Sequence, residues 1–329
     1  MFHLSSSAPR RAASCAAAVT ALAAALLAGA ASAQEIRIAA LQAADAVVLY
    51  AAADEKLFEA QGLDVKVIPF KSALEVGAAM RANRLDGHFA DLMNVFTQNA
   101  TGISQAVILT TTHTNPEQRA FGLCVSPAYS EKLPTLDALK ASKNVDMAMS
   151  SSTIIDYLAD RMKDSAGLPK EVFKNIEVKP IPIRLQMLLT GKAATALLPE
   201  PLVSVVESKG GKVIWDDRKL DEPLAVVSLK KSLLDDKTVE GFRRAVAEAA
   251  KRIEADPEKY RAYMVKKGLL PAAAAKGYKM VRFSIYGSAD GLPPLPSAED
   301  VKRVGGWMVQ KGMIKTEPVF EDVVWTPKR

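Results

Sequence analysis

Two stretches of this 329-residue sequence concentrate groups able to hold a polar molecule. Ser150-Ser-Ser-Thr153 follows the apolar run Val145 to Met149. It precedes Ile154, Ile155, Leu158 and Met162, which fall on one helical face. Ser150, Ser151 and Ser152 stand where a helix N-cap belongs, and a helix start also presents free backbone N–H groups. Pro199-Glu-Pro201 follows the run Ala194 to Leu198, so Glu200 stands at a strand tip between two stiff residues. The chemistry open to such groups is hydrogen bonding and charge pairing. Covalent catalysis is not legible. Two cysteines and three histidines give no zinc-ligand spacing, and no Ser–His–Asp or Cys–His set stands out.

Further candidates follow other predicted strands. Gln42 and Asp45 come after Ile36 to Leu41, and Asp45 is equally suited to cap the next helix. Ser72 opens a capping-box pattern, Ser72-Ala-Leu-Glu75, after a strand at 64–69. Asp91, Met93 and Asn94 follow a third strand ending at Ala90, and His113 lies just past a fourth, 105–112. The methionines otherwise read as core filler.

These positions step back to one repeated arrangement. Strand, loop and helix recur three times and end in a strand over 36–112, and the same order returns over 145–215. Alternating strands and helices predict mainly parallel sheets flanked by helices, hence two α/β lobes. In such sheets ligands sit beyond the carboxyl ends of the strands. The stretches 110–116 and 216–228 read as crossovers between the lobes, which makes a hinge. The expected division is 34–115 with 224–329 for one lobe and 116–223 for the other. Helices are expected at 236–254, 257–267, 271–278 and 297–311, with the tail from Trp307 to Trp325 lying on the surface as a clasp.

Residues 1–33 are set apart. Arg10 and Arg11, an Ala/Leu/Val run from Ala16 to Ala28, and Ala31-Ser-Ala33 form a secretory signal peptide with its cleavage site. Cleavage removes those two arginines from 43 basic residues and none of the 37 acidic ones. The remaining excess is mild and dispersed, which argues against nucleic acid as a partner. Only Cys124 survives cleavage, so no disulfide can form within the mature chain.

Several segments together resemble the extracytoplasmic solute-binding proteins of ABC importers, in the group that binds nitrate, sulfonates, taurine and thiamine precursors. They are Ile36-Arg-Ile-Ala39; Ala53 to Val65; Phe70 with Ser72; Arg84-Leu-Asp-Gly-His88; Leu136-Asp-Ala-Leu-Lys140; Ser150 to Thr153; Leu185 to Gly191; and Ala194 to Pro201. The resemblance spans roughly 36 to 260. It implies a two-lobed periplasmic-binding-protein type II fold with two hinge crossovers, a small-molecule solute held in the cleft, a membrane permease as partner, a periplasmic location, a monomer, no cofactor and no catalysis. The alternatives are an enzyme on this fold related to thiamine-pyrimidine synthesis, and a sensor that passes occupancy to a receptor. Against the family pattern, Thr195 stands where an Asp is usual. The site expected from sequence is therefore Gln42, Asp45, Ser72, Asp91, Met93, Asn94, His113, Ser150, Ser151, Ser152, Thr153 and Glu200. Its carboxylates point to a neutral or amine-bearing solute over nitrate or an alkanesulfonate, since only Lys71 and Arg184 supply cations near the predicted cleft loops.

Overall fold

The structure is a computed structural model that describes residues 1–3, 34–283 and 290–327. The chain divides into Met1–Gln34 and a compact unit, Glu35–Arg329. The signal-peptide reading falls, apart from the first three residues, outside the described residues.

Within the larger unit the elements run β1 (Glu35–Leu41), α1 (Val47–Asp54), β2 (Asp64–Phe70), α2 (Ala73–Arg81), β3 (Gly87–Ala90), α3 (Leu92–Ala100), β4 (Gln105–His113) and β5 (Phe121–Val125). They continue with α4 (Leu136–Lys140), β6 (Val145–Met149), α5 (Ile154–Ala166), β7 (Phe173–Glu177), α6 (Ile181–Leu189), β8 (Thr195–Pro199), α7 (Leu202–Ser208), β9 (Lys212–Asp216) and β10 (Pro223–Lys230). Helices α8 (Asp236–Ala255), α9 (Pro257–Lys266), α10 (Ala272–Ala275), α11 (Ala298–Gln310) and α12 (Phe320–Val323) complete the chain.

The strands form two five-stranded sheets, ordered β2-β1-β3-β10-β4 and β7-β6-β8-β5-β9. Each is parallel except for one strand: β10 runs antiparallel to β3 and β4, and β5 to β8 and β9. Those two strands follow the crossovers, so each crossover delivers a reversed strand into the interior of its sheet. Gly87 permits one such insertion, because a Cβ there would stand 2.2 Å from the Ser228 carbonyl on β10.

Helix α8 carries the longest apolar stripe. Val239, Phe242, Val246, Ala249 and Ile253 are buried at helical spacing, and Phe242 packs on Phe58 at 4.7 Å between ring centroids. Three local expectations shift. The sequence predicts a helix over 46–60 closed by a left-handed Gly62; the helix ends at Asp54 and gives way to turns, and Gly62 is left-handed (φ 75°). It predicts a bend at Ile181-Pro-Ile183, which is instead the first turn of α6, since Pro182 is tolerated where no intrahelical N–H is needed. Of the helix expected over 271–278, only Ala272–Ala275 is helical.

The C-terminal part also packs differently from expectation. Helix α11 lies on α3 and joins the cluster around α5 through Val301, Val304 and Met308. The tail is inserted: Trp325 is buried, its N–H donates to the Val107 carbonyl at 2.9 Å, and Thr110 N–H donates to the Pro294 carbonyl at 2.7 Å. Strand β4 is the sheet edge, and an edge exposes donors and acceptors that a covering segment can satisfy.

One buried group makes this sheet sensitive to acid. His88 on β3 is fully buried, and neither ring nitrogen has a hydrogen-bond partner. Burial pushes the imidazole pKa down to about 4. The unfolded chain takes up a proton near the ordinary value of about 6.5 and the folded chain does not. Stability from this group is thus complete above that pH and falls as pH drops towards 4, by about 3 kcal/mol in all. Melting His88→Leu and the parent across pH 7 to 4 should show a shallower decline in the variant; parallel declines would refute this assignment.

Candidate functional site

The carboxyl ends of β1, β3, β6 and β8 converge, and the loops leaving the two sheets meet across a cleft. Three backbone-anchored bonds cross it: Ile154 N–H to Asp91 Oδ2 at 2.9 Å, Ala44 N–H to the Glu200 carbonyl at 3.0 Å, and Ile181 N–H to the Lys71 carbonyl at 3.1 Å. Between them lies a cavity of about 70 Å³ with a mainly apolar lining that includes Leu41, Phe89, Phe121, Ile155, Ile181 and Leu224. The polar side chains reaching it are Asp45, Asp91, Ser150, Thr153, Lys179 and Arg184.

Most of these groups are already engaged. Asp45 is buried, and its Oδ2 accepts from the Thr111 and Thr112 hydroxyls at 3.0 and 2.6 Å rather than capping a helix. Asp91 caps α3: its Oδ1 accepts from Asn94 N–H and Asn94 Nδ2, and its Oδ2 takes the bond from Ile154. Burial raises the pKa of both carboxyls, and these hydrogen bonds oppose the rise. The N-cap of α5 is Thr153, one residue beyond the serines; its hydroxyl accepts from Ile155 N–H and donates to the Ser150 carbonyl. Ser152 turns through the left-handed region (φ 59°) to allow this, and Ser151 bonds outward to Glu177. Lys179 pairs with Glu177 at 2.6 Å.

Arg184 is the exception. It sits in the first turn of α6, is 2% exposed, and its Nε and Nη1 have no hydrogen-bond partner. Burial lowers its pKa to about 10, with Glu177 opposing, so it remains a cation at neutral pH. Unpaired buried charges are costly, and a guanidinium presents a planar fork that matches an oxyanion.

The other residues singled out from sequence stand elsewhere. Ser72 is buried as the N-cap of α2, accepting from Glu75 N–H, while the Glu75 carboxylate turns back to Lys71 N–H. Met93 belongs to the apolar core, and Asn94 faces a neighbouring groove with Ser150 to Thr153. Gln42 is outside the cavity lining, and His113 lies at the crossover, 3.4 Å from Asp221. Glu200 is not free for a ligand: Oε1 pairs with Arg119 at 2.7 Å, and Oε2 accepts from Ser204 N–H and Oγ. The carboxylates that favoured an amine-bearing solute are therefore each hydrogen-bonded within the protein, and the group left with unpartnered nitrogens is a cation. Sequence marked Arg184 as near the cleft, but whether an arginine is paired cannot be read from spacing.

Among the described residues no group of three or more His, Cys, Asp or Glu side chains could hold a metal ion. Nor is any described helix long and apolar enough to cross a membrane.

The model of the NMT1-like family matches residues 29–267, and the chain belongs to that family. No curated protein matches the sequence. The ligand-binding component of an ABC-type import system from Staphylococcus aureus, solved with zinc bound, superposes with a TM-score of 0.70 at 14% identity, covering 89% of this chain and 97% of that one. The periplasmic aliphatic sulphonate binding protein of Escherichia coli superposes with a TM-score of 0.69 at 17% identity, covering 89% and 98%. The periplasmic nitrate-binding protein of Synechocystis PCC 6803 gives 0.63 at 17% identity, covering 76% and 72%. At these identities the likeness is one of fold, the two-lobed periplasmic-binding-protein architecture.

Proposed function

We propose that this member of the NMT1-like family is the extracytoplasmic solute-binding component of an ABC importer, and that its solute is a small anion with an apolar body. The observation that carries the reading is Arg184, a buried cation on the interlobe cavity whose Nε and Nη1 have no partner in the protein. An oxyanion would give this guanidinium the charged acceptor it lacks, and the apolar walls would take the rest of the solute. A volume of about 70 Å³ suits a solute of roughly half a dozen non-hydrogen atoms, at about 10–15 Å³ for each water-sized group.

In this reading the chain is exported on residues 1–33 and acts in the periplasm as a monomer. Its lobes, 34–115 with 224–329 and 116–223, close about the crossovers and present the filled form to a membrane permease. The neighbours from Escherichia coli and Synechocystis, described as binding a sulphonate and nitrate, support an anion. No catalysis is assigned. Cys124 is buried and its thiol pKa is pushed up, chiefly by burial, which is the opposite of an activated nucleophile.

A thermal-shift panel tests the solute class. A ligand at 100 times its Kd should add about 2.7 kcal/mol of stability by mass action. Short alkanesulfonates, carboxylates or nitrate should raise the melting temperature and neutral amides or amines should not. A rise confined to amines or neutral compounds would contradict the proposal.

A further inference from the structure

The solute cavity has a neighbour. A second cavity of about 20 Å³ shares five of its walls, Ala43, Asp45, Phe121, Pro199 and Leu224. At about 10–15 Å³ for each, that is room for about one water-sized group. Its polar side chains are Asp45, Thr112, Gln118, Arg119, Glu200 and Tyr278.

One wall comes from the segment 276–283, through Tyr278 and Val281. Gln118, on the first crossover, fastens it: Nε2 donates to the Lys279 and Met280 carbonyls at 3.2 and 2.7 Å, and Oε1 accepts from Arg282 N–H at 2.8 Å. Arg282 also pairs with Glu117. Val281 and Phe283 are buried, so the segment is anchored by its apolar side chains as well.

Tyr278 is the unusual residue in it. The side chain is 3% exposed, and its hydroxyl is buried with no hydrogen-bond partner. A buried hydroxyl left unmatched costs about 1–3 kcal/mol, so its position calls for a reason. Burial, with the nearby carboxylates of Glu200 and Asp45, raises the phenol pKa well above its ordinary value, so the group is a neutral donor at physiological pH.

We propose that this compartment is a second subsite of the solute cavity, and that it receives a hydroxyl at the far end of a short anion whose charged end lies on Arg184. A hydroxyl can accept from Tyr278 Oη and donate to the Asp45 carboxylate at once. An ammonium offers no acceptor to the phenol, a carbonyl offers no hydrogen to the carboxylate, and a methyl group offers neither. The inference rests on the reading of Arg184 as the anion anchor.

Calorimetry on the mature chain tests it, with two- and three-carbon alkanesulfonates that end in methyl, hydroxyl or ammonium. The hydroxyl compound should bind about five- to tenfold more tightly than the methyl compound of its best-fitting length, which is what one buried hydrogen bond contributes. Tyr278→Phe keeps the ring and should cut that preference to less than about threefold. Equal binding of all three end groups, a preference for ammonium, or an unchanged preference in Tyr278→Phe overturns the subsite and leaves the anion anchor standing. If none of the compounds binds the parent protein, the anchor fails and the subsite fails with it.

Discussion

Arg184→Met is expected to melt at a higher temperature than the parent protein when both are ligand-free, and to gain nothing from the solute. Position 184 is 2% exposed and two of its guanidinium nitrogens have no partner. Burial holds its pKa down at about 10 against an ordinary 12.5. That depression corresponds to about 3 kcal/mol of desolvation carried by the folded state. Methionine fills a similar volume without a charge, so the ligand-free variant should recover up to that amount, a shift of several degrees for a chain of this size. Its affinity for the solute should fall by at least about a hundredfold, because the buried charge on the solute then has no counterpart. Fluorimetry and calorimetry on one preparation read both effects. A variant that melts lower and still binds would mean that the guanidinium serves the fold and not the solute. A residue that weakens the empty protein and completes it when filled is the local inconsistency that functional sites tend to carry.

The second large effect is expected at Glu222, beside the return crossover. Its side chain has no exposed surface and accepts three bonds: from Tyr157 Oη and Arg161 Nε, both at 2.8 Å on α5, and from Arg303 Nε at 3.0 Å on α11. Its backbone N–H donates to Thr114 Oγ1 at 2.9 Å on the outgoing crossover. The carboxylate therefore ties α5 and α11 to the return crossover, and the backbone N–H of the same residue ties that crossover to the outgoing one. Glu222→Ala leaves a buried phenol and two arginines without their acceptor. Both arginines are partly exposed and Arg303 keeps Asp300, so the loss should be at the lower end for a broken buried pair, about 3 kcal/mol. A fall in melting temperature of roughly 6–12 °C follows at 2–4 °C per kcal/mol. Glu222→Gln, which keeps one acceptor oxygen but no charge, should recover part of it; a melt within a degree of the parent for the alanine variant would rule the tie out.

Much of the scaffold was legible because it rests on local patterns. Apolar runs ending at Leu41, Ala90, Met149 and Leu198 are strands, and the polar residues after them reach the cleft because parallel sheets present their carboxyl ends together. What those residues have left to offer was not legible. Asp45 is satisfied by hydroxyls 66 and 67 positions away, Asp91 by an N–H 63 away, and Glu200 by an arginine 81 away. Spacing along the chain carries no record of such partners, so the carboxylates looked available and Arg184 looked incidental. The same limit applies to Tyr278 and to α11, whose neighbours are set by how the chain returns over both sheets. The displacement of the α5 cap from the serines to Thr153 is smaller in kind. Any of four hydroxyl residues can cap, and the turn through Ser152 selects the last.

The most direct test is a crystal structure of the mature protein with its tightest-binding anion. The acidic group should lie between the two sheets, within about 3 Å of Arg184 Nε or Nη1, with the Asp91–Ile154 bond intact. An anion bound outside this cavity, or within it but away from Arg184, would contradict the account.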